Sequence, residues 1–364
     1  MKKSILTMAI CAMSTMMLGT AAAAPASTAT PTAATAKSGS TELAVTPEVK
    51  KLNGYVPGAR VVKYDITNKQ LLDSISQVVY KQVVERDMLT KLHMDILRDR
   101  NTKNNPAIVY FPGGGFTTAN EGKDLELRTR LAKAGFVVAA VEYRAVPTKF
   151  PGILEDGKAA VRYLRAHAAE YGIDPARIGV MGDSAGGYLT EMMATTNGER
   201  KYDVGDNLDK SSDVQAALSR YGISDVSCIG EGLGQDIAKV HASPASTESL
   251  LVNGPAFGNF AGAGVLETPK KSREASPIGH VDGSEPPMAL YHGSADVVVS
   301  PWQSAHLYEA LKKKGVDVTY TLVEGAHHGD TPWYQPAFMQ EVIDFFTAKL
   351  GQPGGEKTNS GINY

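Results

Sequence analysis

The hydrophobic positions of residues 77–97 alternate as expected for an antiparallel pair of strands. Residues 77–84 form a β-branched run, and residues 90–97 alternate polar and apolar side chains after a turn near Asp87. One face of such a hairpin is covered and the other faces solvent. A short, continuous apolar run follows at residues 107–111, which is typical of a strand buried on both faces. The folded domain is therefore predicted to begin with a hairpin that leads into a buried sheet.

Strands and helices alternate from residue 125 onward. The predicted helices, where apolar residues recur every three or four positions, cover residues 125–134, 151–169, 185–195, 301–314 and 337–350. The predicted strands, which are short β-branched runs, cover residues 136–141, 177–181, 214–221, 287–291 and 316–323. This alternation favours an α/β fold with a mostly parallel twisted sheet, an antiparallel N-terminal hairpin and helices on both faces.

Residues 223–285 do not follow this alternation. They contain many glycines and little periodicity, and they stand between two predicted strands. A long irregular segment inside a compact domain is usually functional, so this segment is interpreted as a lid or a pocket insertion. The alternative is a structural excursion that does not contact the substrate.

The first residues have the pattern of a secretory signal peptide. Lys2 and Lys3 precede an apolar run that ends in a series of small residues, so a signal peptide is predicted over residues 1–24. The alternative, a membrane anchor, is disfavoured because the run is too short to span a bilayer. The protein is therefore predicted to be exported, to the periplasm or to the medium.

The remaining boundaries follow from composition. Residues 25–75 are interpreted as a flexible leader and a pre-domain segment, with a helix around residues 71–75. A single folded α/β domain is expected over residues 76–350. The glycine-rich residues 351–364 are expected to form a frayed tail.

Composition excludes several classes of function. The chain has 364 residues, of which 43% are hydrophobic, and its 37 basic residues nearly balance 39 acidic ones. There is no basic run, so no nucleic-acid partner is expected. The histidines lack the spacing of zinc ligands, so neither a metal nor a cofactor is expected. Removal of the signal peptide leaves one cysteine, Cys228, which is interpreted as a partly buried structural thiol rather than a nucleophile.

A glycine-flanked serine, Ser184, lies between a predicted strand and a predicted helix. Gly182 and Gly186 flank it two positions away on either side. A serine on a sharp strand-to-helix turn needs neighbours without side chains, so that the backbone can fold back and a substrate can approach. The N–H groups at the start of the helix would then favour a developing oxyanion. Because Gly and Ser are common in this chain, the position of the motif, and not the motif alone, carries the prediction.

Two later loops offer partners for this serine. A serine nucleophile needs a base, and the base needs an acid that orients it. In parallel sheets such groups lie at the carboxyl ends of strands. Asp296 follows one predicted strand, and His327 and His328 follow the next, so the order along the chain is Ser, Asp, His. This pattern leaves both histidines open as the base, whereas His292, at the end of a strand, is interpreted as structural.

Three glycines after Pro112 supply the other half of the predicted site. Gly113, Gly114 and Gly115 follow the buried strand at residues 107–111. Their backbone can approach a substrate with its N–H groups directed outward, whereas a plain turn would need only one or two glycines. Together with the N–H of Ala185, this loop is predicted to form an oxyanion hole.

These segments resemble the α/β-hydrolase carboxylesterases, especially the hormone-sensitive-lipase-like esterases and the bacterial feruloyl and acetyl esterase-type lipases. The resemblance covers residues 77–350 and rests on residues 113–116, 143–144, 182–187, 292–296 and 325–329. It implies the α/β-hydrolase fold, with residues 76–350 as the catalytic domain. It also implies a catalytic triad and three oxyanion donors, namely Ser184, Asp296 and His328, and Gly114, Gly115 and Ala185.

Two details of the resemblance bear on single residues. His328 is favoured over His327 as the base, because Gly329 follows it as in the family pattern. Pro112 stands where the family usually has a histidine that orders the glycine loop. Its rigid backbone would order the loop differently, so the departure is expected to affect the substrate subtype more than the type of reaction.

The favoured function is an exported serine carboxylester hydrolase that acts through an acyl-enzyme. The resemblance and the predicted export favour small or plant-polysaccharide-linked esters of the acetyl or feruloyl type. One alternative is a serine peptidase or amidase of the same fold. Another is a noncatalytic binding protein, which would be expected to lose the serine, the histidine or the acid, although all three are present.

Overall fold

A computed structural model describes residues 40–64, 70–85 and 87–357. The predicted signal peptide, part of the predicted leader and residues 358–364 lie outside these ranges. The chain divides into two compact units, Met1–Asn68 and Lys69–Tyr364.

The smaller unit has little regular structure among its described residues. The strand β1 (Ser40–Glu42) pairs antiparallel with the strand β2 (Val62–Tyr64). Between them the helix α1 (Pro47–Lys50) begins at Thr46, whose hydroxyl accepts a hydrogen bond from the N–H of Val49. A threonine in this position compensates one of the N–H groups that a helix start leaves unpaired.

The larger unit alternates strands and helices. Its strands are β3 (Leu72–Glu85), β4 (Met88–Asp99), β5 (Thr102–Lys103), β6 (Asn105–Phe111), β7 (Val137–Val141), β8 (Ile173–Asp183), β9 (Ala216–Arg220), β10 (Met288–Gly293), β11 (Val318–Val323) and β12 (Glu356–Lys357). Its helices are α2 (Leu125–Ala134), α3 (Gly152–Ala166), α4 (Ala168–Tyr171), α5 (Ala185–Thr195), α6 (Gln235–Ala242), α7 (Thr247–Asn253), α8 (Pro269–Glu274), α9 (Trp302–Lys313) and α10 (Pro336–Leu350). Short 3-10 turns lie at Arg200–Tyr202, Val265–Glu267, Pro277–Gly279 and Thr331–Tyr334.

Eight of these strands form one sheet, in the order β11-β10-β9-β8-β6-β7-β4-β3. The six strands from β11 to β7 are parallel. β4 pairs antiparallel with both β7 and β3, so the hairpin forms one edge of the sheet. The predicted mostly parallel sheet with an antiparallel N-terminal hairpin is therefore confirmed.

The core lies on both faces of this sheet. In β6, Ile108 and Tyr110 face one hydrophobic layer, whereas Ala107, Val109 and Phe111 face the other. Helices α2 and α10 cover the first layer, and helices α3, α5 and α9 cover the second. Because successive side chains of a strand point to opposite faces, a strand buried on both sides needs a continuous apolar run, as the sequence of β6 shows.

Two predictions near the ends of the domain are wrong. Residues 72–75 form the first part of β3, not a helix, and Leu72 to Ile75 pair with the end of β4. A short segment of mixed polarity does not distinguish a helix from a strand, and here strand pairing decides. The tail predicted to fray from residue 351 instead pairs through β12 with β5, and the N–H of Gly355 donates to the side chain of Asn105. A side chain at Gly355 would clash with the backbone of β5, so glycine permits the docking.

The segment 223–285 is not the irregular loop that its composition suggests. It contains helices α6, α7 and α8, joined by glycine-rich turns. Leu251 of α7 and Val265 lie in the core, whereas α6 buries no residue. Helices of six to eight residues are too short to show a clear hydrophobic period, which explains why the pattern missed them. Its role as a lid stays a prediction.

A carboxyl group lies inside the core on helix α5. Glu191 is fully buried, and its Oε1 accepts a hydrogen bond of 2.7 Å from the hydroxyl of Ser219. Its Oε2 has no hydrogen-bond partner among the described residues. Burial raises the pKa of Glu191 to about 8, and the Ser219 hydroxyl only partly opposes this. The folded protein therefore holds Glu191 protonated near neutral pH.

This carboxyl group is expected to make stability depend on pH. Because the pKa of Glu191 is higher in the folded than in the unfolded chain, its protonated form stabilises the fold at low pH. That stabilisation declines above the unfolded value, near 4.5, and is lost as the pH rises through about 8. In Glu191→Gln this loss should disappear, so the variant should gain on the order of 3 kcal/mol relative to wild type between pH 5 and pH 9. Urea unfolding at both pH values measures it, with the exposed Glu309→Gln as control. Equal pH dependence in Glu191→Gln and wild type would contradict the assignment.

Candidate active site

The predicted strand-to-helix turn is present at Ser184. Strand β8 ends at Asp183 and helix α5 begins at Ala185, so Ser184 alone makes the turn. Its backbone has φ 54° and ψ −121°, which is a strained conformation for a residue other than glycine. A side chain at Gly182 would clash with the carbonyl of Gly186, and a side chain at Gly186 would clash with the end of β6. Both glycines are therefore required for this turn.

Two consecutive hydrogen bonds connect the three residues predicted as a triad. A distance of 2.8 Å separates Ser184 Oγ from His328 Nε2, and 2.7 Å separates His328 Nδ1 from Asp296 Oδ2. Asp296 lies in the loop after β10, and His328 lies in the loop after β11. Because β8, β10 and β11 are parallel, their carboxyl ends bring these loops to the same edge of the sheet.

The two adjacent histidines have different environments. The ring of His327 is exposed, and the contacts of this residue run through its backbone: its N–H donates to Asp330, and its carbonyl accepts from the indole of Trp333. The ring of His328 packs on Tyr221, with 4.6 Å between the ring centroids. The structure therefore places His328, and not His327, beside the serine.

Asp296 is buried and fully hydrogen-bonded. Its Oδ1 accepts from the N–H groups of Val298 and Val299, at 2.9 and 3.0 Å. Its Oδ2 lies 3.3 Å from Nε2 of the buried His292, in addition to its contact with His328. Burial alone would raise the pKa of Asp296, but the bonds from His292 and His328 hold it well below its usual range. Asp296 therefore stays ionised across the range in which proteins are assayed.

His292 shows a contact that the sequence did not reveal. It is interpreted above as structural, and its Nδ1 does lie 2.8 Å from the hydroxyl of Ser304 within the core. Its second nitrogen, however, reaches the same carboxylate as His328. The only available signal is its spacing of four residues before Asp296, at the end of the same strand.

The backbone N–H groups predicted as oxyanion donors have no acceptor among the described residues. This holds for Gly114, Gly115 and Ala185. Gly113 differs, because its N–H donates to Asp183 Oδ1 at 3.2 Å. Gly115 has φ 58°, in the left-handed region that favours glycine. The described part of the chain therefore provides no acceptor for two N–H groups of this loop or for the one at the start of helix α5.

Three side chains, those of Tyr143, Lys123 and Asp183, hold the glycine loop that follows Pro112. The hydroxyl of Tyr143 donates to the carbonyl of Pro112 at 2.5 Å, and the ammonium of Lys123 donates to the carbonyl of Gly113 at 2.8 Å. Asp183 bonds the N–H of Gly113 and also accepts from the hydroxyl of Tyr110 at 2.7 Å. These contacts order the loop without a histidine.

Two other residues singled out in the sequence lie apart from this line. Burial raises the pKa of the Cys228 thiol to about 12, which disfavours the nucleophilic thiolate. Nδ1 of His93, predicted to be a surface residue, lies 3.0 Å from the carboxylate of Glu142 on a partly exposed part of the sheet. Neither residue contacts Ser184, Asp296 or His328.

Within residues 40–64, 70–85 and 87–357, no cluster of three or more histidine, cysteine or acidic side chains is arranged to bind a metal ion. Nor do these ranges contain a helix with the length and apolar character needed to cross a bilayer.

Comparisons with known proteins assign the chain to a family. The sequence model of the BD-FAE family matches residues 94–311, more than half of the 364-residue chain, including Ser184 and Asp296. The chain belongs to the BD-FAE family. The matched range also contains the glycine loop that follows Pro112, whereas His328 lies beyond it.

Individual proteins similar to this BD-FAE protein are named as esterases or ester hydrolases. It is 30% identical over 226 residues to the probable carboxylic ester hydrolase LipM of Mycobacterium tuberculosis, covering 61% of this chain and 49% of LipM. It is 28% identical over 242 residues to the esterase LipC of the same organism, covering 64% and 55%. The chain thus spans about half the length of the curated relatives it matches. The solved structure of a truncated carbohydrate esterase from gut microbiota superposes with a TM-score of 0.65 at 27% identity, covering 76% of this chain and 96% of that one. The predicted resemblance to α/β-hydrolase carboxylesterases is confirmed, and so is the fold.

Proposed function

We propose that this BD-FAE protein is a serine carboxylester hydrolase, with Ser184 as nucleophile, His328 as base and Asp296 as the orienting acid. The observation that carries the proposal is the line of two short hydrogen bonds from Ser184 Oγ to Asp296 Oδ2. A nucleophile, a base and an orienting carboxylate within hydrogen-bond reach are the parts that acyl transfer needs.

The geometry supports one sequence of proton transfers. Ser184 Oγ attacks the ester carbonyl while His328 Nε2 takes its proton, and Asp296 accepts a hydrogen bond from Nδ1–H, which holds the ring in the required tautomer. The N–H groups of Gly114, Gly115 and Ala185 stabilise the oxyanion. His328 then returns the proton to the leaving alcohol, and an acyl-enzyme forms on Ser184. Water, activated by the same histidine, attacks the acyl group and regenerates the serine.

The relatives support an ester substrate and favour one attached to a carbohydrate. LipM and LipC are named as an ester hydrolase and an esterase, and the gut protein as a carbohydrate esterase. The comparison with the gut protein extends over nearly all of that chain. We therefore propose acetyl or feruloyl esters of saccharides as the substrate class. Export, which this substrate class would suit, stays a prediction from residues 1–24, outside the described ranges.

Rates on matched substrates test the proposal against its alternatives. The purified protein is expected to hydrolyse p-nitrophenyl acetate, methyl ferulate and an acetylated xylo-oligosaccharide, but not aminoacyl p-nitroanilides. Faster cleavage of the anilides would favour a peptidase or amidase of the same fold. No turnover of any of them would favour a noncatalytic binding protein.

Asp296→Asn is expected to lower ester turnover by roughly 10³- to 10⁴-fold. The amide keeps the shape of the carboxylate but removes its charge, and it can present an N–H to His328, which favours the wrong tautomer. Because Asp296 stays ionised in the wild type, its own protonation should not limit activity between pH 5 and pH 8. Initial rates at pH 5 to 8 for both proteins test this expectation.

The matched control for this variant is Glu324→Gln. Glu324 is an exposed carboxylate in the same loop as His328, and it has no described contact with the triad. The control should keep wild-type turnover. If Asp296→Asn kept wild-type turnover and Glu324→Gln lost it, Glu324 would be the acid that orients the base.

A further inference from the structure

The lysine behind the glycine loop contacts the peptide unit that carries one of the proposed oxyanion donors. Lys123 Nζ donates a hydrogen bond of 2.8 Å to the carbonyl oxygen of Gly113. The same ammonium lies 3.8 Å from Asp183 Oδ2. The carbonyl of Gly113 and the N–H of Gly114 belong to one planar peptide group. Lys123 therefore binds the opposite end of the group whose N–H is available to the oxyanion.

A hydrogen bond to the carbonyl of a peptide group draws electron density toward that oxygen and makes the N–H a stronger donor. Chains of hydrogen bonds polarise one another in this way, and the effect is larger where water is excluded. A charged donor gives a bond about twice as strong as a neutral one. The ammonium of Lys123 is therefore suited to strengthen the Gly114 N–H.

The next peptide unit has the same arrangement with neutral donors. The carbonyl of Gly114 accepts a bond of 2.8 Å from the hydroxyl of Thr117, and bonds of 3.0 and 3.3 Å from the N–H groups of Thr117 and Thr118. That carbonyl shares its peptide group with the N–H of Gly115. In both peptide groups that carry a proposed oxyanion donor of the loop, the carbonyl oxygen thus accepts hydrogen bonds.

We propose that Lys123 is a positioning residue that polarises the Gly113–Gly114 peptide and thereby strengthens the oxyanion hole, with Thr117 acting likewise on the Gly114–Gly115 peptide. This inference rests on the proposed function. Lys123 touches no reacting atom, and its effect passes through the backbone. Its side chain is partly exposed, so its replacement leaves no cavity in the core.

Three variants separate charge from shape at Lys123. Lys123→Met should lower kcat for p-nitrophenyl acetate by about tenfold with little change in KM, because the polarisation matters most when negative charge develops on the substrate oxygen. Lys123→Gln, a neutral donor, should fall between Met and wild type. Lys123→Arg keeps the charge and should restore kcat to within about threefold of wild type. Lys313→Met, which removes an exposed lysine of helix α9, is the control and should match wild type.

A second readout distinguishes polarisation from a structural role. A phenylboronic acid forms an anionic tetrahedral adduct with the serine, so its inhibition constant should rise in Lys123→Met by the same factor by which kcat/KM falls. The thermal midpoint and circular dichroism of the variant establish that it folds.

Thr117 allows the same test on the next peptide. Thr117→Val, at an exposed position, should lower kcat about threefold, and Thr117→Ser should not.

The results distinguish failure of the proposed ester hydrolase function from failure of the proposed role of Lys123. If the wild type hydrolysed no ester, the proposed function would fail. If the wild type were active and Lys123→Met kept kcat within twofold, only the role of Lys123 would fail. Equal losses in Lys123→Met and Lys123→Arg, or a change confined to KM, would likewise overturn it, because shape or substrate binding would then explain the lysine. If Lys123→Met did not fold, equal kcat in Lys123→Gln and Lys123→Arg would overturn the role of the lysine charge.

Discussion

Ser184→Ala is expected to lower kcat for ester hydrolysis by about 10⁶-fold, the size of loss seen when a serine hydrolase loses its nucleophile. The reason is geometric: Ser184 Oγ is the hydroxyl that lies 2.8 Å from His328 Nε2. Alanine accepts the turn at φ 54° no worse than serine does, because both have one Cβ. The variant should therefore keep the circular dichroism spectrum and thermal midpoint of the wild type. Initial rates with p-nitrophenyl acetate measure the loss.

An exposed serine supplies the control for this loss. Ser76 lies on the edge strand β3, and Ser76→Ala should leave kcat unchanged. Electrospray mass spectrometry adds an independent check, since a brief reaction with p-nitrophenyl acetate should acetylate the wild type once and leave Ser184→Ala unmodified. Turnover near the wild-type value in folded Ser184→Ala would refute the assignment of the nucleophile.

The sequence predicted the elements that have strong local signals. Helix α2 was expected at residues 125–134 and observed there, because Gly135 adopts the left-handed conformation that ends a helix. Helix α5 has its expected bounds of 185–195, because the glycine-flanked turn at Ser184 fixes its start. The helices of residues 223–285 are too short to show a clear hydrophobic period. The docking of β12 on β5 depends on contact between distant parts of the chain, which no local pattern indicates.

The sequence located the candidate site through chain order and strand ends, but not through its supporting contacts. The order of the loops after strands indicated the serine and the acid, whereas the choice of His328 over His327 came from the family resemblance, through the glycine that follows it. The packing of Tyr221 on the His328 ring, the second histidine on Asp296 and the bond from Lys123 to Gly113 join residues with no local pattern in common. These residues are distant in sequence and come together only when the sheet is assembled.

The structure also explains how the loop tolerates Pro112. Proline has no N–H to donate, but its carbonyl accepts from Tyr143, and the neighbouring N–H of Gly113 is bound by Asp183. The N–H groups of this loop for which the described residues provide no acceptor are those of Gly114 and Gly115, so proline removes no proposed donor. We infer that the substitution changes how the loop is ordered, and that the two donor groups themselves are retained.

His328→Ala is expected to be as damaging as Ser184→Ala, with kcat reduced by about 10⁶-fold, because residues of a triad act as a unit and removal of the base alone costs nearly as much as removal of all three. Without the ring, no described residue within hydrogen-bond reach of Ser184 Oγ can accept its proton, and Asp296 loses one of its two histidine partners. Initial rates near pH 8 measure the loss, and the thermal midpoint establishes that the variant folds.

His327→Ala is the matched control, since it removes the adjacent imidazole. The ring of His327 is exposed, and its described hydrogen bonds, to Asp330 and Trp333, are made by backbone atoms that alanine retains. Turnover should therefore stay within about tenfold of wild type, because only one imidazole can reach the serine as a base. The double variant should be no worse than His328→Ala alone. If His327→Ala were instead the inactive variant, the base would be His327, and the loop after β11 would have to adopt a different conformation during catalysis.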